Sequence, residues 1–148
     1  MEPLKDMPKD YVLCPATDAA CPRAATCLRA HAWRTLAAGR EKGWTFVRSL
    51  SPALAISPPS PCPHYRNSTP VRLARGMSHL FDDVPRRLAL SVRRQVVLCF
   101  SSERYFYYCR GGKRLITPEE QQAVAAVFKR AGLSFPPKFD SYEEGYNW

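Results

Sequence analysis

The sequence predicts a mostly helical α+β fold with one small β-hairpin, in a single compact domain whose amino-terminal region is fastened by a metal ion. Three observations predict it: apolar residues recur at helical spacing in three segments, prolines are concentrated between residues 49 and 70, and six cysteines are unevenly spaced. The chain has 148 residues, of which 45% are apolar and 24% charged, so it can bury a core and is not disordered.

Three segments are predicted to be helical. The first covers residues 22–38 and ends at Gly39, the second begins around residues 82–85, and the third begins at Thr117. The third has the pattern of a capping box, because Glu120 follows Thr117 by three residues.

Between the second and third helices, residues 105–110 include four aromatic β-formers and are followed by Gly111-Gly112. Two glycines suit a tight turn, so residues 105–116 are predicted to form the hairpin. The alternative to the hairpin is that the second helix continues through these aromatic residues.

The predicted domain, residues 1–148, has three parts. Residues 1–65 are a metal-binding part rich in cysteine and proline, in which residues 49–70 form a stiff, extended loop. Residues 66–134 are a basic helix–hairpin–helix part, and residues 135–148 are an aromatic tail that packs along the domain.

No apolar run reaches the length of a membrane-spanning helix, and the first residues lack the apolar core of a secretory signal. We therefore expect a cytoplasmic protein without membrane insertion, whose thiols stay free or bind metal.

Three cysteines and a histidine lie close together in the sequence. Cys14, Cys21, Cys27 and His31 have spacings similar to those of three-cysteine, one-histidine zinc fingers, over residues 14–31 only. In a second ligand set, Cys62 replaces His31. This set is favoured because Cys14, Cys21 and Cys62 each precede proline and because Cys62 would fasten the proline-rich loop.

His64 is a further alternative ligand. Four thiolates can hold either zinc or an iron–sulfur cluster, and the spacing of the cysteines in the sequence does not distinguish between them. Zinc is the preferred prediction. Cys99 and Cys109 lie among apolar and aromatic residues and are predicted to be core residues.

The positive charge is concentrated in one region. The chain has a net charge of +9, and residues 64–114 hold eleven Lys or Arg against three Asp or Glu. Ten of the eleven are arginines, whose planar fork binds phosphate at two points. The predicted nucleic-acid-binding residues are Arg86, Arg87, Arg93, Arg94, Arg104, Arg110, Lys113, Arg114, Tyr105 and Tyr107. Two alternatives stay open: a solvated helix face neutralised by nearby carboxylates, and docking on an acidic protein.

The sequence does not predict an enzyme. It has three histidines, none of them directly next to an Asp or Glu in the sequence, and no phosphate-binding glycine loop or nucleophile elbow.

Several stretches resemble a family of small bacterial proteins found in gut anaerobes, a domain of unknown function. They are Cys21-Pro-Arg-Ala, Cys27-Leu-Arg, Cys62-Pro-His-Tyr, Gly112-Lys-Arg-Leu-Ile-Thr-Pro-Glu-Glu-Gln-Gln and the ending Phe139-Asp-Ser-Tyr-Glu-Glu-Gly-Tyr-Asn-Trp. The resemblance implies a cytoplasmic bacterial protein, favours Cys62 over His31, and implies no activity.

The expected function is that of a metal-stabilised basic accessory protein that binds nucleic acid. A regulatory protein of this kind is one version of that expectation. The alternatives are an adaptor that docks on an acidic protein and an iron–sulfur redox or sensor protein. The sequence predicts no oligomeric state.

Overall fold

The computed structural model describes residues 4–148, and these form two compact units. The first unit contains residues 4–70 and 145–148, and the second contains residues 71–144. The prediction of one domain over residues 1–148 stays a prediction. In the described part of the chain, every helix is too short or too polar to cross a bilayer.

The helices and strands confirm an α+β fold. The helices are α1 (Leu28–Ala37), α2 (Pro52–Ile56), α3 (Arg86–Val97), α4 (Glu103–Arg110) and α5 (Pro118–Arg130). The strands are β1 (Val12–Leu13), β2 (Arg48–Ser49), β3 (Val71–Arg75), β4 (Leu115–Ile116) and β5 (Ser141–Gly145).

The first unit is built around α1 and a two-stranded parallel sheet. Strand β1 pairs with β2, so that Val12 lies opposite Arg48. Leu13 is fully buried beside Ala32 of α1, and Trp33, Trp44 and Trp148 are among the larger side chains that pack around this cluster. Part of the aromatic tail therefore packs in this unit, as predicted.

Helix α1 is shorter than the predicted helix over residues 22–38. Residues Ala24–Thr26 form a single 3₁₀ turn, and Cys27 is extended, with φ −94° and ψ 120°. The helix begins after Cys27 because the backbone of that residue pairs with Asn67 in an antiparallel bridge. The predicted end is confirmed, since Gly39 has a φ of +66° just after the helix.

The prediction that residues 49–70 form a loop without helix is wrong over one short stretch. Helix α2 forms at Pro52–Ile56 with proline at its start, a position where the missing N–H costs no helical hydrogen bond.

The second unit is a three-stranded sheet, in the order β4-β3-β5, with α3 and α5 packed on its core. Strands β3 and β4 are antiparallel, with Ala74 opposite Ile116. Leu88, Val92, Val96 and Cys99 or Phe100 recur at helical spacing and predict an apolar stripe on the second helix. The stripe of α3 is confirmed in this core, where Val92, Val96 and the following Phe100 are buried.

The predicted hairpin over residues 105–116 is wrong. Residues Glu103–Arg110 form helix α4, with Ser102 capping its start through a 3.1 Å hydrogen bond from the backbone N–H of Tyr105. Phe106 and Cys109 are fully buried on one face at helical spacing. Burial at this spacing outweighs the β-propensity of the aromatic residues, and β4 pairs with β3 instead.

Helix α5 confirms the predicted capping box. Thr117 Oγ1 accepts from the N–H of Glu120 at 3.3 Å, and Glu120 Oε2 accepts from the N–H of Thr117 at 3.0 Å. The acidic pair Asp82-Asp83 predicts a cap for the second helix, but α3 begins at Arg86 with Pro85 in the cap position, so this cap is wrong.

Candidate metal centre and basic surface

Four cysteines of the first unit line one small cavity. They are Cys14 after β1, Cys21 before the 3₁₀ turn, Cys27 before α1 and Cys62 in the proline-rich loop. The cavity has a volume of about 20 Å³, which is room for one water-sized particle. His64 also lines it.

Backbone hydrogen bonds bring these distant segments together. The N–H of Cys14 donates to the carbonyl of Arg29 in α1 at 3.2 Å. The N–H of Leu28 donates to the carbonyl of Arg66 at 2.7 Å, so the segment after Cys62 and His64 lies against the start of the helix. Three parts of the chain thus meet at the amino end of α1.

Two arginines that sequence analysis missed complete this site. The Arg29 Nε donates to the carbonyl of His64 at 2.8 Å, its Nη1 donates to the carbonyl of Val12, and its guanidinium lies 4.7 Å from the ring centroid of Tyr11. The Arg23 guanidinium lies 3.4 Å from the ring centroid of Tyr65. Both arginines line the cavity. The sequence places Arg29 within the first predicted helix, but no local pattern indicates that its side chain contacts residues as distant as Val12 and His64.

The environment of Cys14 favours the neutral thiol when no metal is bound. Burial raises the pKa of Cys14, a backbone hydrogen bond at Ala16 lowers it, and the nearby Cys27, Cys21 and Cys62 raise it further. These electrostatic effects place Cys27, Cys21 and Cys62 near Cys14, and all four residues line the same cavity.

The cysteines are not in a closed ligand arrangement. Within residues 4–148, no group of three or more His, Cys, Asp or Glu side chains stands in position to hold a metal ion. The structure therefore brings the predicted cysteines to one cavity without forming the coordination shell.

His31 does not line this cavity in the described structure. Its ring centroid lies 6.0 Å from that of Tyr146, and its Nε2 is buried without a hydrogen-bond partner in the described residues. Burial lowers the pKa of His31, and nearby Arg34 lowers it further. The other two cysteines lie in the second unit, where Cys109 is fully buried, as predicted, and Cys99 is half-buried.

Helix α3 presents three arginines to solvent. Arg86, Arg87 and Arg94 are exposed, whereas Arg93 is half-buried. The Arg93 Nη2 donates to the hydroxyl of Tyr107 at 3.2 Å, which links α3 to α4.

Helix α4 and the turn after it add cations beside tyrosine rings. Arg104 lies 5.4 Å from the ring centroid of Tyr108 and donates to its hydroxyl at 2.9 Å, and the Lys113 ammonium lies 5.7 Å from the same ring. Arg114 lies 5.6 Å from the ring of Tyr105. Tyr108 was not among the predicted residues.

We call the exposed cations of α3, α4 and the α4–β4 turn the basic surface: Arg86, Arg87, Arg94, Arg104, Lys113 and Arg114. Arg110 is half-buried, and its carbonyl accepts from the N–H of Met77 at 3.0 Å.

Three carboxylates of the second unit have other partners. Asp82 bonds to His79 at 2.7 Å, Asp83 to Lys138 at 2.9 Å, and Glu143 to Arg75 at 3.1 Å. Across residues 4–148, no cation of the basic surface forms an ion pair with a carboxylate.

Comparison with known proteins gives a family and no function. No curated protein and no solved structure matches the chain. The model of one family, described as a family of unknown function (DUF6078), matches residues 1–148. Because the match covers the whole chain, the protein belongs to the DUF6078 family.

Proposed function

We propose that this protein is a basic, non-enzymatic accessory protein that binds nucleic acid through its basic surface, and whose first unit is stabilised by zinc. The zinc ligands are Cys14, Cys21, Cys27 and Cys62. Zinc binding and nucleic-acid binding use different units and are tested separately.

The observation that supports nucleic-acid binding is the unneutralised charge of the basic surface. Six exposed cations stand without carboxylate partners in the described structure, although acidic residues are present in the same unit. Arginine binds phosphate through two parallel hydrogen bonds, and tyrosine rings beside the cations offer stacking surfaces to unpaired bases. A polyanion with exposed bases satisfies both features.

The size and charge of the cysteine cavity support zinc over an iron–sulfur cluster. A volume of about 20 Å³ accommodates one ion, whereas a cluster adds several iron and sulfide atoms. Four thiolates around Zn²⁺ carry a net charge of −2, and Arg23 and Arg29 on the cavity wall can balance it.

A second candidate function, docking on an acidic protein, is favoured by two exposed leucines. Leu90 and Leu98 are 62% and 82% exposed, and they lie one helical turn before and after Arg94. An acidic partner with apolar side chains would cover both the charge and the leucines.

The salt dependence of binding tests the proposal. With all six cations on phosphates, the logarithm of the affinity for duplex DNA should fall with log salt with a slope of about −5, or about −4 for a single strand. Between 50 and 200 mM salt, this corresponds to a loss of about a thousandfold for the duplex. Fluorescence anisotropy with labelled 20-nucleotide single strands and duplexes measures it.

Variants locate the site. The Arg87→Ala/Arg94→Ala double variant should reduce the magnitude of the slope by about 2, because two phosphate contacts are lost. The matched control, Arg40→Ala/Arg48→Ala, removes two exposed arginines of the first unit and should leave the slope unchanged. Binding that is independent of salt, or an equal effect of the two double variants, would refute nucleic-acid binding by this surface.

A further inference from the structure

The first unit contains a second cavity, which is independent of the cysteines. It is open to solvent, has a volume of about 240 Å³, and is lined by α1 and the segment after it. The lining residues are Trp33, Leu36, Ala37, Glu41, Trp44 and Val47. This volume is below the range of about 300–1,000 Å³ that is usual for organic ligand sites. It is the size of one long side chain.

The cavity combines two indoles with one carboxylate. Trp33 and Trp44 pack against the buried cluster around Leu13, so both rings are held by the core of the unit. Glu41 is half-buried, and in the described structure its carboxylate has no hydrogen bond or ion pair. The wall therefore offers indole rings and an unpaired negative charge to the same space.

We propose that this cavity binds a single arginine or lysine side chain of a partner protein. A cation is attracted by the face of an indole ring, most strongly by tryptophan, and by the Glu41 carboxylate. The apolar wall formed by Leu36, Ala37 and Val47 suits the methylene stem of such a side chain.

The surroundings of the cavity indicate the kind of segment that carries this cation. Phe46 lies between Trp44 and Val47 in the sequence and is 88% exposed, so an apolar neighbour of the bound cation would find an apolar contact. Arg40 and Lys42 flank Glu41 in the chain and are exposed. The cavity therefore suits a partner segment that carries one cation among apolar or acidic residues. Arg40 and Lys42 would repel a segment with several cations. Because nucleic acid is a polyanion, this site has a different partner from the basic surface.

Indole NMR signals test the proposal on the full chain. The protein has three tryptophans, and Trp148 donates its indole N–H to the carbonyl of Lys5, so it serves as an internal reference. The probe is the peptide acetyl-Ala-Leu-Arg-Leu-Ala-amide. We expect it to shift the indole signals of Trp33 and Trp44 and to leave that of Trp148 in place.

A matched peptide and matched variants isolate the charge. Citrulline has nearly the same shape as arginine and no charge, so a probe with citrulline in place of arginine should bind about tenfold more weakly. In the protein, Glu41→Gln should weaken binding of the arginine peptide by about fivefold to tenfold. Glu144→Gln, at an exposed carboxylate of the second unit, should have no effect. Glu41→Gln changes no packed apolar group, so the test does not depend on altering the tryptophans.

Three results would overturn the proposal. They are equal binding of the arginine and citrulline peptides, unchanged affinity in Glu41→Gln, and no shift of the Trp33 or Trp44 signal at up to about 5 mM peptide. If single-stranded DNA shifts these two signals as the peptide does, the cavity is part of the nucleic-acid site, and the proposal of a cationic ligand is wrong.

Discussion

Gly76 follows strand β3 at a φ of +78°, and the carboxylate of Asp140 lies where a side chain of residue 76 would begin. Both carboxylate oxygens accept from the N–H of Ser78 at 3.1 Å, and one accepts from the Ser78 hydroxyl at 2.8 Å. The N–H of Asp140 donates to the carbonyl of Gly76 at 3.1 Å. This arrangement ties the segment before β5 to the end of β3, and replacing Gly76 by alanine should break it.

Two costs of the Gly76→Ala substitution can be worked out. A Cβ atom in a left-handed conformation costs about 1–2 kcal/mol. It would also lie 2.3 Å from Asp140 Oδ2 and 2.9 Å from Asp140 Cγ, so the carboxylate must move and lose its bonds to Ser78. Hydrogen bonds to a charged group contribute about 1.5–3 kcal/mol, and the lower value applies here because Asp140 is exposed. The free energy of unfolding of the second unit should therefore fall by about 3 kcal/mol.

Gly132 provides the matched control. Its φ is also +78°, and a Cβ atom there would meet no atom within 4 Å. Gly132→Ala should therefore cost only the conformational term of about 1–2 kcal/mol. Urea unfolding followed by far-UV circular dichroism measures both variants. In an Asp140→Ala background, most of the extra cost of Gly76→Ala over Gly132→Ala should disappear, because only the 3.1 Å contact with the Cβ atom of residue 140 remains. Equal losses for the two single variants would refute the reasoning, because the collision with Asp140 would then have no cost.

Two further predictions concern a helix cap and a half-buried histidine. Thr117→Ala removes one half of the capping box of α5 and should lower the free energy of unfolding by about 1 kcal/mol in urea, whereas Thr45→Ala, at an exposed position, should change it little. A loss that is the same for both would contradict the role of the cap. Burial lowers the pKa of His31, so the unfolded chain binds a proton more readily and stability should fall as the pH drops below 6.5. His31→Phe should make this fall shallower, and an unchanged pH profile of the unfolding free energy would show that His31 does not contribute.

Features set by local chemistry could be predicted from the sequence. The capping box of α5 and the left-handed Gly39 depend on residues a few positions apart, and both are as predicted. The apolar stripe of α3 depends only on helical periodicity.

Features set by distant partners could not be predicted in the same way. The aromatic residues of α4 have high β-propensity, and only the burial of Phe106 and Cys109 against the rest of the second unit makes them helical. The Arg29 side chain donates hydrogen bonds to the carbonyls of Val12 and His64, which are 17 and 35 residues away in the sequence. No local sequence pattern indicates such contacts.

The candidate metal site lies between these cases. The Cys-Pro pairs favoured Cys62 over His31, and the structure brings Cys62 to the cavity that the other three cysteines line. The sequence could not indicate the small volume of the cavity or its arginine lining, because residues from several separate segments define it.

The zinc content of protein purified without air and without chelators tests the central claim most directly. We expect about one zinc per chain in a colourless protein. Cys62→Ser should lose the metal and melt at a lower temperature, whereas Cys99→Ser, in the second unit, should retain it. A folded protein that contains no zinc, or a Cys62→Ser variant that keeps zinc at the same stoichiometry, would contradict the claim.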